Sequence, residues 1–159
     1  MQMKPLTSKI FIVDDVVENL KTMVSVFEEN RPNYEIYQTN DATKALDLAI
    51  KIKPDLIITD WDMPKLDGLA LIAQLKQVLL TKNIPVIMAT GVNLSSKDLE
   101  LSLRAGAIDY IRKPIDEIEL LARTNSVLRI TALHKQNMDE RNRELTESSL
   151  SLINYNKFS

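Results

Sequence analysis

The sequence of 159 residues contains no cysteine, one histidine and three glycines. Without cysteine, neither a disulfide, a thiol nucleophile nor a thiolate-bound zinc ion can form. A single histidine argues against a histidine-based metal site and against a Ser-His-Asp triad. Gly68, Gly91 and Gly106 are too far apart to build a phosphate-binding loop of the G-x-G-x-x-G or P-loop type. The chain therefore lacks the usual glycine-rich cradle for a nucleotide.

Charge and hydropathy narrow the class of protein further. The 20 Lys and Arg residues are outnumbered by 22 Asp and Glu residues, so the basic excess typical of nucleic-acid binding is missing. No apolar run approaches the roughly 20 residues that span a bilayer. A hydrophobic content of 45% is ordinary for a globular fold. We expect a globular domain with a short additional element, located in the cytoplasm, without a nucleic-acid or membrane partner.

Two hydrophobic patterns alternate along the first 128 residues. Short continuous apolar runs indicate strands that are buried on both faces, as in parallel sheets. Between them, apolar residues recur at helical spacing, and these positions include Leu79 in the third helix, Leu103 in the fourth and Ile118 in the fifth. The predicted strands lie at residues 9–13, 34–39, 56–59, 85–89 and 108–111.

This alternation predicts an α/β fold with a doubly wound, five-stranded parallel sheet. The first, third and fourth strands are the most apolar and are expected at the centre. The second and fifth strands carry Glu35 and Asp109 and are expected nearer the edges. The strand order is therefore 2-1-3-4-5, the flavodoxin-like arrangement. We also expect an extended C-terminal helix.

Polar side chains follow four of the predicted strands. Asp14 and Asp15 follow the first, Asp60 the third, Thr90 the fourth and Lys113 the fifth. In open α/β sheets, sites form beyond the carboxyl ends of the strands, so these side chains are expected to lie together. Three carboxylates repel one another unless a cation lies among them, and Mg²⁺ suits an all-oxygen site. An aspartate there can attack a phosphoryl group, and the ammonium and hydroxyl groups can contact the transferred oxygens.

Four motifs at these strand ends together resemble a bacterial two-component response-regulator receiver domain. They are Val13-Asp14-Asp15, Asp60-Trp61-Asp62-Met63-Pro64-Lys65-Leu66-Asp67-Gly68, Met88-Ala89-Thr90-Gly91 and Asp109-Tyr110-Ile111-Arg112-Lys113-Pro114. The resemblance covers residues 8–128 and implies a phosphorylation-dependent signalling switch. Its phosphoryl donor would be a histidine kinase or a histidine phosphotransfer protein. It would catalyse its own phosphorylation and dephosphorylation but would not be a turnover enzyme.

The resemblance also implies a metal site. Asp60 would be the phosphoacceptor and, with Asp15, a direct ligand of Mg²⁺. Asp14 would bind the ion mainly through water, and Asp62 would bind it through its backbone carbonyl.

Further roles follow from the same resemblance. Lys113 would pair with the phosphoryl group, and the peptide bond between Lys113 and Pro114 would be cis. Thr90 and Tyr110 would be the switch residues, and the change would be relayed through the face of the fourth helix, fifth strand and fifth helix.

Two other functions stay open. Asp60-Trp61-Asp62 also fits the D-x-D start of haloacid-dehalogenase-like phosphatases, which use an aspartate nucleophile and Mg²⁺. Pro64, however, stands where that family has Thr or Val, and its second acidic pair comes late in the chain, whereas Asp14-Asp15 comes early. The other alternative is a receiver-like interaction module that is not phosphorylated. Such a module usually lacks an acidic or lysine position that is present here.

Residues 129–159 are polar and compatible with helix. A seven-residue register, with positions three and four residues apart, can be drawn from Leu128; its apolar members are Leu128, Met138, Leu145 and Leu152, and we call these four residues the seam. The remaining positions of the register are polar, so the seam predicts at most a weak coiled coil. We expect residues 1–128 to be the receiver domain and residues 129–159 to be a helical linker that is truncated before an output domain. A homodimer through the seam and a solvated helix without a partner are the two alternatives for this segment.

Overall fold

Strand β1 (Ser8–Val13) contains the first continuous apolar run, and its last four residues are buried. The computed structural model describes residues 7–31, 33–91 and 94–158. Both β3 (Leu56–Asp60) and β4 (Val86–Thr90) are buried at every position, because the sheet is covered on both faces there. By contrast, β2 (Tyr34–Thr39) and β5 (Asp109–Arg112) are partly exposed.

The five strands form one parallel sheet in the order β2-β1-β3-β4-β5. The three most apolar strands are central, and the two strands that carry acidic residues are at the edges. The predicted flavodoxin-like α/β fold is therefore confirmed.

Helices connect the strands, and three of them begin at side-chain caps. Asp67 accepts a hydrogen bond from the backbone N–H of Ala70 at 2.8 Å, and Ser95 and Asp98 form a reciprocal capping box. Asp116 accepts a hydrogen bond from the backbone N–H of Glu119 at 2.8 Å. The helices are α1 (Val17–Asn30), α2 (Ala45–Ile52), α3 (Gly68–Gln77), α4 (Ser96–Ala105) and α5 (Glu117–Phe158), and a 3₁₀ turn (Ala42–Lys44) precedes α2.

Alternate residues of the central strands enter two apolar clusters. Phe11 and Val13 belong to one cluster, together with the buried residues of α2 and α3. Ile10 and Ile12 belong to the other, together with buried residues of α1 and of the first turns of α5. Successive side chains of a strand point to opposite faces, so the sheet supplies both clusters from the same short runs.

Three of the residues predicted for helix faces are exposed instead. Leu79 is 75% exposed because α3 ends at Gln77 and the chain turns there. Leu103 of α4 is also exposed, and the buried residue of that helix is Ser102. Ile118 of α5 is 78% exposed.

In α5 the buried face is set by a different group of residues. Leu120, Thr124 and Val127 are buried, at intervals of four and three residues. The N-terminal part of α5 carries apolar residues on several sides, so its pattern alone did not fix which side faces the sheet.

The chain divides into two units, one that ends at Leu128 and one that begins at Arg129. The second unit consists of the remaining part of α5. From residue 129 to residue 157, every side chain except that of Thr131 is exposed, including Met138, Leu145 and Leu152 of the seam. Among the described residues, no helix combines the length and apolarity needed to cross a membrane.

Candidate functional site

The candidate site lies where the central strands end. Asp60 is the last residue of β3 and pairs with Ala89 of β4. Thr90 is the last residue of β4 and pairs with Arg112, the last residue of β5. The backbone N–H of Lys113 donates to the carbonyl oxygen of Thr90 at 2.6 Å. This pairing sets Asp60, Thr90 and Lys113 at three adjacent strand ends.

Asp14, Asp15 and Asp60 form the acidic cluster of the site. Each presents a carboxylate oxygen, and these three atoms lie within 4.8 Å of one another. Asp14 is fully buried, Asp60 is 6% exposed, and Asp15 is half-buried. Three carboxylates that share so little solvent repel one another strongly, so the cluster favours a nearby cation.

Lys113 is a cation within this cluster. Its Nζ lies 2.8 Å from Oδ2 of Asp14 and 2.9 Å from Oδ1 of Asp60. Burial acts to lower the pKa of Lys113, but the hydrogen bonds with Asp14 and Asp60 outweigh burial and raise that pKa above its ordinary value. The lysine therefore stays charged and bridges two of the three carboxylates.

The carboxyl group of Asp60 is shifted towards its neutral form. Burial is the largest cause that raises its pKa above the ordinary value, and the negative charge of Asp14 adds to it. The hydrogen bond with Lys113 opposes the shift without cancelling it. The ionised form of Asp60 is therefore disfavoured by its surroundings. A further cation nearby, or neutralisation of the carboxylate, would relieve this cost.

The two neighbouring acids at the end of β1 differ in their partners. Oδ1 of Asp14 accepts from the backbone N–H of Val16 at 2.9 Å and from Nδ2 of Asn19 at 3.3 Å. Oδ2 of Asp14 accepts from the same Nδ2 at 3.1 Å and from Lys113. Oδ1 of Asp15, in contrast, is buried and has no hydrogen-bond partner among the residues that the structure describes.

This orphaned oxygen and the composition of the cluster fit a magnesium ion. A buried acceptor without a partner costs free energy, which a bound cation would recover. Carboxylate oxygens are the protein ligands that Mg²⁺ prefers. Asp15 and Asp60 are the residues best able to contact it, because both oxygens of Asp14 already have donors.

The loop after β3 is folded tightly against the site. The backbone N–H of Gly68 donates to the carbonyl oxygen of Trp61 at 2.8 Å. A Cβ atom at Gly68 would lie 2.4 Å from the backbone oxygen of Asp60 and 2.7 Å from Sδ of Met88. Only glycine fits here without displacing the backbone of Asp60. Asp62 in the same loop is exposed, its carboxylate is outside the acidic cluster, and the role of its carbonyl stays a prediction.

The two predicted switch residues lie on β4 and β5. Thr90 is buried, and Tyr110 is half-buried and packs against an apolar cluster of the core. The guanidinium carbons of Arg112 and Arg123 lie 5.9 Å and 5.4 Å from the ring centroid of Tyr110. The switching role of Thr90 and Tyr110 stays a prediction. After β5, the Lys113-Pro114 peptide bond is cis.

Comparison with known proteins identifies the family. The family model described as the response regulator receiver domain matches residues 10–125. The chain belongs to the response regulator receiver domain family. Receiver domains are signalling switches of two-component systems, and they bind Mg²⁺ at an acidic pocket. These matches do not favour a phosphatase or an unphosphorylated module.

Individual relatives support the same family. The chain is 38% identical over 122 residues to the phosphate regulon transcriptional regulatory protein PhoB of Pseudomonas aeruginosa, with 77% of this chain and 52% of that protein covered. It is 32% identical over 124 residues to the response regulator PleD of Caulobacter vibrioides, with 78% of this chain and 27% of PleD covered. The chain thus spans between about a quarter and half of these relatives.

A solved structure agrees with the fold. The crystal structure of a response regulator from Desulfuromonas acetoxidans superimposes with a TM-score of 0.70 at 35% identity, and it covers 77% of this chain and 98% of that one.

Two features of this receiver domain were not predicted from its sequence. Asn19 bonds both oxygens of Asp14, and the only signal was a polar residue in the first turn of the helix that follows the acidic pair. Arg123 bonds Asp109 at 3.1 Å and Glu119 at 3.0 Å while it covers Tyr110. The spacing of four between Glu119 and Arg123 indicated the second bond, but no local pattern indicated the others.

Proposed function

We propose that this receiver domain accepts a phosphoryl group on Asp60 from a histidine kinase or a histidine phosphotransfer protein. The observation that carries the proposal is the setting of Asp60, a buried carboxylate at a strand end within the acidic cluster and 2.9 Å from the ammonium group of Lys113. A nucleophile, a fixed cation and an acidic metal-binding set are the parts that phosphoryl transfer to aspartate needs.

The transfer uses these residues in defined roles. A carboxylate oxygen of Asp60 attacks the phosphorus atom, and a new O–P bond forms. The P–N bond of the donor's phosphohistidine breaks, and its electron pair remains on the imidazole nitrogen. Lys113 holds positive charge beside the reacting oxygens throughout, because Asp14 keeps it at the site even when Asp60 is modified. The product is an aspartyl phosphate.

A bound Mg²⁺ would complete the charge balance. Asp15 and Asp60 would hold the ion directly, Asp14 through water and Asp62 through its carbonyl. The ion would neutralise charge on the phosphoryl oxygens. The orphaned Oδ1 of Asp15 supports this division, because Asp14 has its oxygens engaged by Val16, Asn19 and Lys113.

Labelling with a small acyl-phosphate donor tests the acceptor. In the presence of Mg²⁺, we expect the intact protein to gain one phosphoryl group in mass spectrometry and the Asp60→Asn variant to gain none. Asp62→Asn is the matched control, because its side chain is two residues away in the same loop but exposed. Full labelling of Asp60→Asn would move the acceptor elsewhere.

Metal binding tests the assignment of the two neighbouring acids. Asp15→Asn is expected to weaken Mg²⁺ binding more than Asp14→Asn, measured by calorimetry and by the fluorescence of Trp61. Trp61 is the only tryptophan and follows Asp60 directly. Equal weakening by the two substitutions would contradict the assigned roles.

The output of the switch is proposed to pass through Thr90 and Tyr110. A phosphoryl group on Asp60 brings negative charge and acceptor oxygens that the Thr90 hydroxyl can meet. Inward movement of Thr90 would open space for Tyr110, and the surface of α4, β5 and α5 would change shape. We expect this change to favour a homodimer with the residues from 129 onward as its helical linker. Sedimentation over a concentration series should show tighter association after phosphorylation, and Thr90→Ala should remove the difference.

A further inference from the structure

Asn19 makes a contact that neither the core nor its own helix requires. It lies half-buried in the first turn of α1, and its Nδ2 donates to Oδ1 of Asp14 at 3.3 Å and to Oδ2 at 3.1 Å. An ionised carboxylate only accepts hydrogen bonds, so the NH₂ side of the amide must face Asp14. The side chain of Asn19 therefore spans the two oxygens of one carboxylate.

The other donors to Asp14 show what this contact fixes. The backbone N–H of Val16 holds Oδ1, and Nζ of Lys113 holds Oδ2. The amide of Asn19 donates to both oxygens, so rotation of the Asp14 carboxylate about its Cβ–Cγ bond would break both of these hydrogen bonds at once. Asp14 is thus locked with Oδ2 towards Lys113, while the neighbouring Asp15 keeps a buried oxygen free of partners among the described residues.

We propose that Asn19 is a positioning residue for phosphoryl transfer, which holds the Asp14 carboxylate on Lys113 and keeps it from becoming a direct metal ligand. This inference rests on the proposed function, in which Asp15 binds the metal directly and Asp14 does not. A simple helix-capping role is excluded for this amide, because its donor goes to a side chain and α1 has no side-chain cap at Val16.

Replacing Asn19 separates the rate of phosphorylation from the affinity for Mg²⁺, whereas a general loss of structure would lower both. In Asn19→Leu, a side chain of similar size lacks the donor, so Asp14 keeps only Val16 and Lys113 as partners and turns more easily towards Asp15 and Asp60. We expect the rate constant of phosphorylation at saturating Mg²⁺ to fall about tenfold or more, the scale of a lost hydrogen bond to a charged group. The affinity for Mg²⁺ is expected to stay equal or to rise, because a third carboxylate can now reach the ion.

The experiment compares Asn19→Leu with Asn30→Leu in the intact chain. Asn30 is on the same helix, but its amide bonds the carbonyl of Val26 and the carboxylate of Glu117, outside the acidic cluster. Phosphorylation by a small acyl phosphate and Mg²⁺ binding by calorimetry are measured for each. Asn19→Ala is made alongside, so that the result does not depend on whether leucine is accommodated.

A double-mutant cycle decides whether Asn19 acts through Asp14. In an Asp14→Asn background, the charge that Asn19 holds is already gone, so replacing Asn19 should change the phosphorylation rate by less than about twofold. The inference is overturned if the Asn19 variants keep the normal rate, if they lose Mg²⁺ affinity in parallel with rate, or if their effect is the same in both backgrounds. The proposed function fails separately, if the unsubstituted protein is not labelled on Asp60.

Discussion

The part of the chain that ends at Leu128 and the part that begins at Arg129 are both rich in helix, yet they are stabilised differently. In the first unit, two apolar clusters cover the two faces of a sheet, and Leu75 belongs to one of them. In the second unit, apolar side chains such as Leu145 remain exposed along a helix. Burial of apolar surface is the main stabilising contribution in the first unit, whereas an isolated helix is only marginally stable in water. The difference indicates which substitutions should affect folding and which should not.

The largest effect is expected from removing matched leucines in the two units. Leu75 is 1% exposed and Leu145 is 61% exposed. Leu75→Ala should lower the free energy of unfolding by about 3 kcal/mol, because it leaves a cavity in the core. Leu145→Ala should change it by less than about 0.5 kcal/mol. Urea denaturation, followed through Trp61 fluorescence, measures both, and similar losses would show that the two units do not differ in this way.

A second comparison lies within the first unit. The Cβ atom added by Gly68→Ala would push against the backbone oxygen of Asp60 and Sδ of Met88. We therefore expect the free energy of unfolding to fall by about 2 kcal/mol or more. Gly91→Ala is the control, because a Cβ there meets nothing within 4 Å. It should stay within about 0.5 kcal/mol of the original stability. If Gly91→Ala were as damaging as Gly68→Ala, the tight loop after β3 would not be the cause.

The third effect concerns charge at the site and depends on pH. The pKa of Asp60 is raised on folding, so its contribution to stability is fully present below the unfolded pKa and is lost as pH rises through the folded pKa. Asparagine is neutral at every pH, so without Mg²⁺ the Asp60→Asn variant should be more stable than the original protein at pH 7. The advantage should vanish below the unfolded pKa of about 3.9.

Thermal denaturation across this range, in a chelator, measures the gain. Asp62→Asn is the control, since that side chain is exposed and outside the acidic cluster. A gain for Asp60→Asn that persists unchanged at low pH would show that charge is not its source.

The smallest effect is expected in the second unit. If the seam joins two phosphorylated chains, Leu145→Asn should weaken their self-association a few-fold, because the bias supplied by a switch need only be small. Leu150 is similarly exposed but lies outside the seam, so Leu150→Asn should change association by less than about twofold. Analytical ultracentrifugation separates the two variants. Equal weakening would remove the seam from the proposal.

The strand order was predictable because the strands differ in a property that the sequence records directly. Strands β1, β3 and β4 are nearly continuous in apolar residues, whereas Glu35 and Asp109 interrupt the other two. The convergence of Asp14, Asp60 and Lys113 followed from topology, because the ends of parallel strands meet at one end of a sheet.

Contacts that depend on exact helix placement were not predictable in this way. The bond between Asn19 and Asp14 requires α1 to begin three residues after Asp14, and no cap residue at Val16 indicates that start. The exposed position of Ile118 depends on a rotation of α5 that its apolar pattern allowed but did not choose. The requirement for glycine at position 68 appears only when the backbone of Asp60 is seen beside it.

The ion pairs of Lys113 also have a consequence for the order in which the chain is made. Its two carboxylate partners are Asp14 and Asp60, so synthesis proceeds for 99 residues after the first acid before their shared cation emerges. If β1 and β3 paired before β5 was made, they would bring three carboxylates together with no lysine to bridge them. Because domains must close long loops before such contacts are gained, the site should be among the last parts of the fold to form on the ribosome. A shortened chain that ends before β5 would bury its acids without compensation, so the complete domain and the ability to respond to phosphorylation arise together.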